Sequence, residues 1–296
     1  MIDEAGVRRY REQGYLVVPE VLNRAEVDEL RRVTEQFVEN ARSRTSHDEI
    51  YDLEDSHSAR EPRVRRIKTP HLWHEAYARM VAHPNILEVL QRLWGPSIRF
   101  DVSKLNLKAA GYGAPVEWHQ DWAFYPHTND DLAAVGVMID DVGDDNGPLM
   151  VLPGTHRGPV LDHHDDQGYF CGAIDPARAE LDFSTAVKLT GPAGSITVHH
   201  VRLVHGSATN TSGRPRRLLL HQYRAADAWP LLGVPDFQHY RSLLLCGEDT
   251  LEPRLERVPV RLPLPPAKNQ GSIYENQKSA GRRFFQSAGE LAPAVG

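Results

Sequence analysis

At 296 residues the chain has the length of one large domain or two small ones. Its net charge of -6 argues against a nucleic-acid partner, which would demand a basic stripe. Two cysteines, Cys171 and Cys246, stand far apart and supply neither a disulfide framework nor a cysteine-rich zinc site.

The opening Met1-Ile2-Asp3-Glu4 lacks a basic region followed by an apolar run, and no stretch approaches the ~18 apolar residues of a membrane span. A reducing cytoplasm is the expected setting. Residues 3–13 read as a short helix stopped by Gly14, with the apolar run Tyr15-Leu16-Val17-Val18 behind it. Asn23 then offers an N-cap with Glu26 three positions on. Val27, Leu30, Val33 and Phe37 follow at helical spacing, so this helix lays one face on a core.

Residues 42–60 are polar and charged, the composition of a mobile loop that could cover a site. The run Arg63-Val64-Arg65-Arg66-Ile67-Lys68 is the densest positive stretch. It reads either as a solvated face or as attraction for an anionic substrate or cosubstrate. A further helix is expected from Pro84 through Ile86, Leu90 and Leu93 to Gly95-Pro96.

From Ile98 the texture changes to short apolar or alternating runs at 98–102, 116–124, 132–139, 149–152, 186–189, 195–204 and 217–223. Gly-, Pro- and Asn-rich turns separate many of them, which indicates a sandwich or barrel, a jelly roll being one candidate. The fold expected is mainly β with flanking α-helices: one domain over 1–296, its core at about 10–225 buttressed by the N-terminal helices. Residues 226–296 form a Pro-rich, irregular extension, the last ten or so frayed.

Within the second of those runs lies His119-Gln120-Asp121. Residues two apart on a strand point to one face, so an imidazole and a carboxylate there can grip one metal ion. With a second histidine and open coordination positions, that set suits non-heme Fe(II) oxygenases. Two further His-x-Asp triplets, starting at His163 and His164, sit in Asp162-His163-His164-Asp165-Asp166-Gln167-Gly168, a polar run that reads as solvated loop. His119 differs because Trp118, Trp122, Phe124 and Tyr125 enclose it, either as barrel packing or as the wall of a pocket.

Four histidines compete for the remaining metal position: His199, His200, His205 and His221. Strand alternation from Ser195 puts His199 and His205 on one face and His200 on the other. His205 closes its run just before Gly206-Ser207, a rim position; His200 and His221 read as packing or surface residues.

The chain resembles the phytanoyl-CoA dioxygenase family of Fe(II)/2-oxoglutarate oxygenases. The resemblance rests on His119-Gln120-Asp121, on Asn146-Gly147-Pro148-Leu149 leading to Leu152-Pro153-Gly154-Thr155-His156, and on His205-Gly206-Ser207 followed by Arg216. The opening strand and capped helix fit as well, so it extends from near residue 10 to about residue 225. It implies a double-stranded β-helix (a jelly-roll, cupin-like barrel) with Fe(II) held by His119, Asp121 and His205. It also implies that Arg216 pairs with the distal carboxylate of 2-oxoglutarate, Ser207 bonding the same group. A guanidinium suits that task, since it binds a carboxylate through two parallel charge-assisted bonds. Alternation turns Arg217 to the opposite face, and Arg214 lies in the turn before Pro215. Lys68 falls where some relatives place a lysine near the cosubstrate. Halogenating relatives lack the carboxylate, so Asp121 favours hydroxylation or a related oxidation of a C–H bond. In such a reaction O2 is consumed and succinate and CO2 are released.

Two rivals stand beside this reading. A zinc enzyme, hydrolase or isomerase, could use the same ligands to activate water, though no His-Glu-x-x-His motif accompanies them. A non-catalytic jelly roll that binds a small ligand has little need for three ligands and Arg216 together. The expected substrate is a small molecule, with the basic run hinting at an anion.

Overall fold

The computed structural model describes residues 2–287. Helix α1 (Glu4–Gln13) starts where the Asp3 side chain accepts from the Gly6 N–H and stops at Gly14, followed by strand β1 (Tyr15–Val18). Helix α2 (Arg24–Asn40) opens on the expected capping box, Asn23 and Glu26 each accepting from the other's backbone N–H. Its buried stripe of Val27, Leu30 and Val33 stabilises the helix by about 1.5–3 kcal/mol per side chain removed from water.

The next segment departs from expectation. Part of the presumed loop pairs as β2 (Tyr51–Leu53) with β3 (Val64–Lys68), the strand made by the basic run. Arg65 and Arg66 are buried there, so the run is no solvated face. Helix α3 (Glu75–Val81), unmarked by a sequence signal of its own, precedes α4 (Pro84–Trp94), which Pro84 opens and Gly95 ends as the sequence predicts.

The remaining strands are β4 (Ile98–Lys108), β5 (Val116–His119), β6 (Leu132–Met138) and β7 (Leu149–Val151). After them come β8 (Val187–Leu189), β9 (Ile196–His200), β10 (His205–Ser207), β11 (Arg216–Ala225) and β12 (Leu244–Cys246). They form two antiparallel sheets. The larger runs β1-β9-β6-β11-β4-β3-β2, with β12 added on β4; the smaller runs β5-β10-β7-β8. This is the double-stranded β-helix. Leu30, Ile86 and Leu90 from the helices share one apolar cluster with Leu105, Val135 and Leu219 of the large sheet. The helices therefore cover that sheet's outer face and leave its inner face to the small sheet.

Three differences from the sequence reading bear most on the site. Strand β4 runs on to Lys108. Strand β5 stops at His119, and Asp121 opens a single 3₁₀ turn, Asp121–Ala123. The expected strand over 195–204 is two strands: after His200 a turn carries the chain across to the small sheet, where His205 begins β10. Beyond β11 the chain forms a short helix at Phe237–Ser242 and then β12, neither of them expected, before it runs irregular to a helical turn at Ile273–Asn276. The expected fraying at the C-terminus concerns residues almost all outside those described. Among the described residues no helix is long and apolar enough to cross a membrane.

Candidate active site

Strands β5 and β10 pair with His119 directly opposite His205, and their rings lie 4.0 Å apart between centroids. His119 Nδ1 donates to the Glu117 carbonyl and His205 Nδ1 to the Leu203 carbonyl, both at 2.8 Å. A carbonyl only accepts, so both rings carry their proton on Nδ1 and turn an Nε2 lone pair inward. Asp121 Oδ1 sits 3.6 Å from His119 Nε2 and 3.9 Å from His205 Nε2. One donor atom from each residue lies within 4.8 Å of the other two, and all three residues are buried. Two neutral imidazoles and one carboxylate so disposed can hold a single divalent ion with positions left open.

The charge states suit that role. Burial alone would raise the Asp121 carboxyl, but the Lys104 ammonium leads the opposing influences that hold it well below the usual carboxylate range. Burial, reinforced by His119 and His199, pushes His205 well below the usual imidazole range.

Gln120, between His119 and Asp121, is pinned on every side. The Gln120 N–H donates to His163 Nε2 at 2.9 Å. Its side-chain amide donates to the Pro159 and Arg202 carbonyls and accepts from the Leu161 N–H. His163, expected in a solvated loop, is therefore buried beneath β5. The Leu152–His156 motif secures the other strand: Thr155 Oγ1 donates to the Leu152 carbonyl at 2.7 Å and accepts from the N–H of Val204, the residue before His205, at 3.0 Å.

Arg216 and Ser207 line the same cavity as the triad. Nε and Nη2 of Arg216 both donate to the Gly147 carbonyl, at 3.1 and 2.7 Å, which fixes the guanidinium plane. Burial lowers its pKa to about 10, so it stays charged at neutral pH. Gly147 is required where it stands: φ is +72°, and a Cβ would meet Lys108 Cδ at 2.7 Å and the Ala208 oxygen at 2.8 Å. Arg217 turns to the other face and forks onto Asp140 at 2.6 and 2.8 Å. Arg214 is exposed beside Asp145.

Lys68 needs correcting. Its ammonium pairs with Asp52 at 2.9 Å and donates to the Asp48 carbonyl at 2.7 Å, and it does not line the cavity. Arg66, two residues back on β3, does, together with Lys104 and Asn106 of β4 and His199 of β9. Lys104, Asn106 and Lys108 recur at every second position of β4, an inward polar alternation that was there to be read. His199 is one of the four histidines that compete on sequence for the remaining metal position. It stands 3.8 Å from Asp121 Oδ2, outside the cluster of three. His200 faces Asp130, and His221 bonds the Tyr223 hydroxyl at 3.0 Å; both are buried packing residues.

A sequence model of the phytanoyl-CoA dioxygenase (PhyH) family matches residues 10–218. A protein of Stutzerimonas stutzeri named probable alpha-ketoglutarate-dependent hypophosphite dioxygenase is 38% identical over 281 residues, covering 94% of this chain and 98% of that one. The L-proline trans-4-hydroxylase of Streptomyces griseoviridis is 32% identical over 241 residues, 75% of this chain and 86% of its own. The crystal structure of EctD from S. alaskensis with bound Fe shares the fold, with a TM-score of 0.65 at 24% identity over 87% of this chain and 88% of that one. Zinc hydrolysis and ligand binding without catalysis, both open on the triplet alone, give way to this kinship. The chain belongs to the phytanoyl-CoA dioxygenase family and is an Fe(II)- and 2-oxoglutarate-dependent dioxygenase.

Proposed function

We propose that His119, Asp121 and His205 hold the ferrous ion, that Arg216 and Ser207 take the distal carboxylate of 2-oxoglutarate, and that the substrate is a compact anion such as hypophosphite. The charge of the cavity carries the last point. Arg66, Lys104 and Arg216 line it against one carboxylate, Asp121. A ferrous ion and doubly charged 2-oxoglutarate cancel, so a surplus of positive charge remains for a second anion. The name of the Stutzerimonas relative supports the choice of anion.

Bound iron supplies the activation of O2, coupled to decarboxylation of 2-oxoglutarate, one oxygen atom going to succinate and the other to the substrate. The chain's own residues do the rest. The Nδ1–H bonds to Glu117 and Leu203 keep both imidazoles in the ligating tautomer. Gly147 aims the guanidinium of Arg216 before the cosubstrate arrives. Lys104 keeps Asp121 ionised. Both cysteines are free, which supports a cytoplasmic location.

Anaerobic addition of Fe(II) and 2-oxoglutarate should produce the visible metal-to-ligand charge-transfer band. On admitting O2, hypophosphite should then stimulate succinate release with equimolar phosphite. Stimulation by neutral or bulky substrates alone would refute the compact-anion reading.

A further inference from the structure

The chain beyond the family-matched residues 10–218 returns to the active site. Gln277 accepts from the Glu117 N–H at 3.0 Å and donates to the Gly172 carbonyl at 2.9 Å. The Phe284 N–H donates to Glu117 Oε2 at 2.8 Å, and the Phe285 ring packs 5.3 Å from Trp118. Across the sheet, Thr209 donates to the Gln286 carbonyl at 2.6 Å. A Cβ on Gly206, beside His205, would stand 2.9 Å from the Phe285 ring. The segment is thus fastened to the strands bearing His119 and His205.

What it delivers is Ile273 and Tyr274. Ile273 lines the cavity of the triad, and Tyr274 lines a second one with Arg65 and Glu54. The Tyr274 ring lies against two guanidinium carbons, Arg65 Cζ at 4.7 Å and Arg66 Cζ at 5.2 Å from its centroid. Arg66 is aimed by its Nε, which donates to Asn106 Oδ1 at 2.9 Å. Its Nη2 and the Tyr274 hydroxyl are both buried and have no hydrogen-bond partner among the described residues. Burial, joined by a smaller push from Glu54, raises the Tyr274 pKa against the pull of Arg66 and Arg216, so the phenol keeps its proton and is a donor. Unmatched buried donors beside further positive charge lack one thing, an acceptor with several oxygens.

We propose that the Tyr274 hydroxyl and Arg66 Nη2 form the oxyanion-holding end of the substrate site, so that the C-terminal segment takes part in selecting the anion. This rests on the compact-anion reading above. Two probes test it on the Fe(II)- and 2-oxoglutarate-loaded enzyme without O2, where nothing turns over: hypophosphite and the inert oxyanion sulfate, followed by calorimetry. Tyr274→Phe keeps the ring and its packing and removes only the hydroxyl. It should weaken both anions about tenfold or more, the worth of a hydrogen bond to a charged group, with 2-oxoglutarate affinity unchanged. Arg66→Gln should weaken them at least as much. Wild-type affinity in Tyr274→Phe, loss of 2-oxoglutarate affinity instead, or a wild-type enzyme that binds neither anion would overturn the assignment. If binding depends on Tyr274 but hypophosphite is left unoxidised in air, the site stands and only the identity of the substrate falls.

Discussion

Arg216 and Arg217 show how much one position on a strand decides. Arg216 points into the cavity with its plane set by the Gly147 carbonyl, while Arg217 is spent on Asp140 on the helix-covered face. Removing one partner of a buried charge pair costs roughly 3–5 kcal/mol. Arg216→Ala should therefore raise the 2-oxoglutarate KM by about a hundredfold or more, measured by succinate release. Arg217→Ala should leave that KM unchanged and lower thermal stability instead. Equal effects on KM would deny Arg216 its role. This pair was legible because alternation is a local rule. Lys68 against Arg66 was not, since which of them reaches the cavity depends on how β3 lies against β4, where Arg66 pairs Asn106 and Lys68 pairs Lys104. That register follows from tertiary packing, and the Asp52 carboxylate and Asp48 carbonyl that claim Lys68 sit in and just before an edge strand whose polar composition reads as loop.

At the scale of elements, the site depends on short strands held by the loops beneath them. The three candidate ligands were readable as residue types, but their placement was not. Asp121 lies past the end of its strand, and His199 and His205 belong to different sheets. A straight strand would also have put both histidines on one face; the break instead carries His205 to the small sheet, so the two meet from strands of opposite sheets. His163 is the less obvious part of this arrangement. The segment 162–168 is as polar as a solvated loop should be, yet its second residue is buried because the Gln120 N–H requires an acceptor. His163→Leu would leave that N–H unmatched, at a cost of about 1–3 kcal/mol, and loosen the backbone between His119 and Asp121. The variant should fold with a lowered Tm and bind Fe(II) about tenfold or more weakly, read from the charge-transfer band. Unaltered iron affinity at a lowered Tm would make His163 a packing residue and nothing more.

Over the whole molecule, buried histidines are spread through every layer. His221 faces the helix-covered core beside Phe100, His200 lies near the edge strand, and His163 sits under the small sheet. Burial drops each of these to about 3, and His127, where burial is joined by Arg224, to about 4. Each is neutral when folded but takes up a proton near pH 6.5 when unfolded. Their contribution to stability is therefore complete above pH 6.5 and is lost as the pH falls toward 3–4. Asp131, raised by burial to about 6, works in the opposite direction and offsets one of the four. Around pH 5 unfolding should take up about three protons net at these groups, a slope of about 4 kcal/mol per pH unit. An ordinary stability of about 5–15 kcal/mol would then be exhausted within a few units below neutrality. His221 isolates one share of this, since Leu218 and Leu220 line the cavity while His221 points away from it. In His221→Leu, denaturant titrations between pH 6 and 4.5 should give a slope shallower by about 1.4 kcal/mol per unit, with turnover at pH 7.5 preserved. A slope equal to that of the wild type would mean that His221 titrates alike folded and unfolded, and that the acid sensitivity of the fold arises elsewhere.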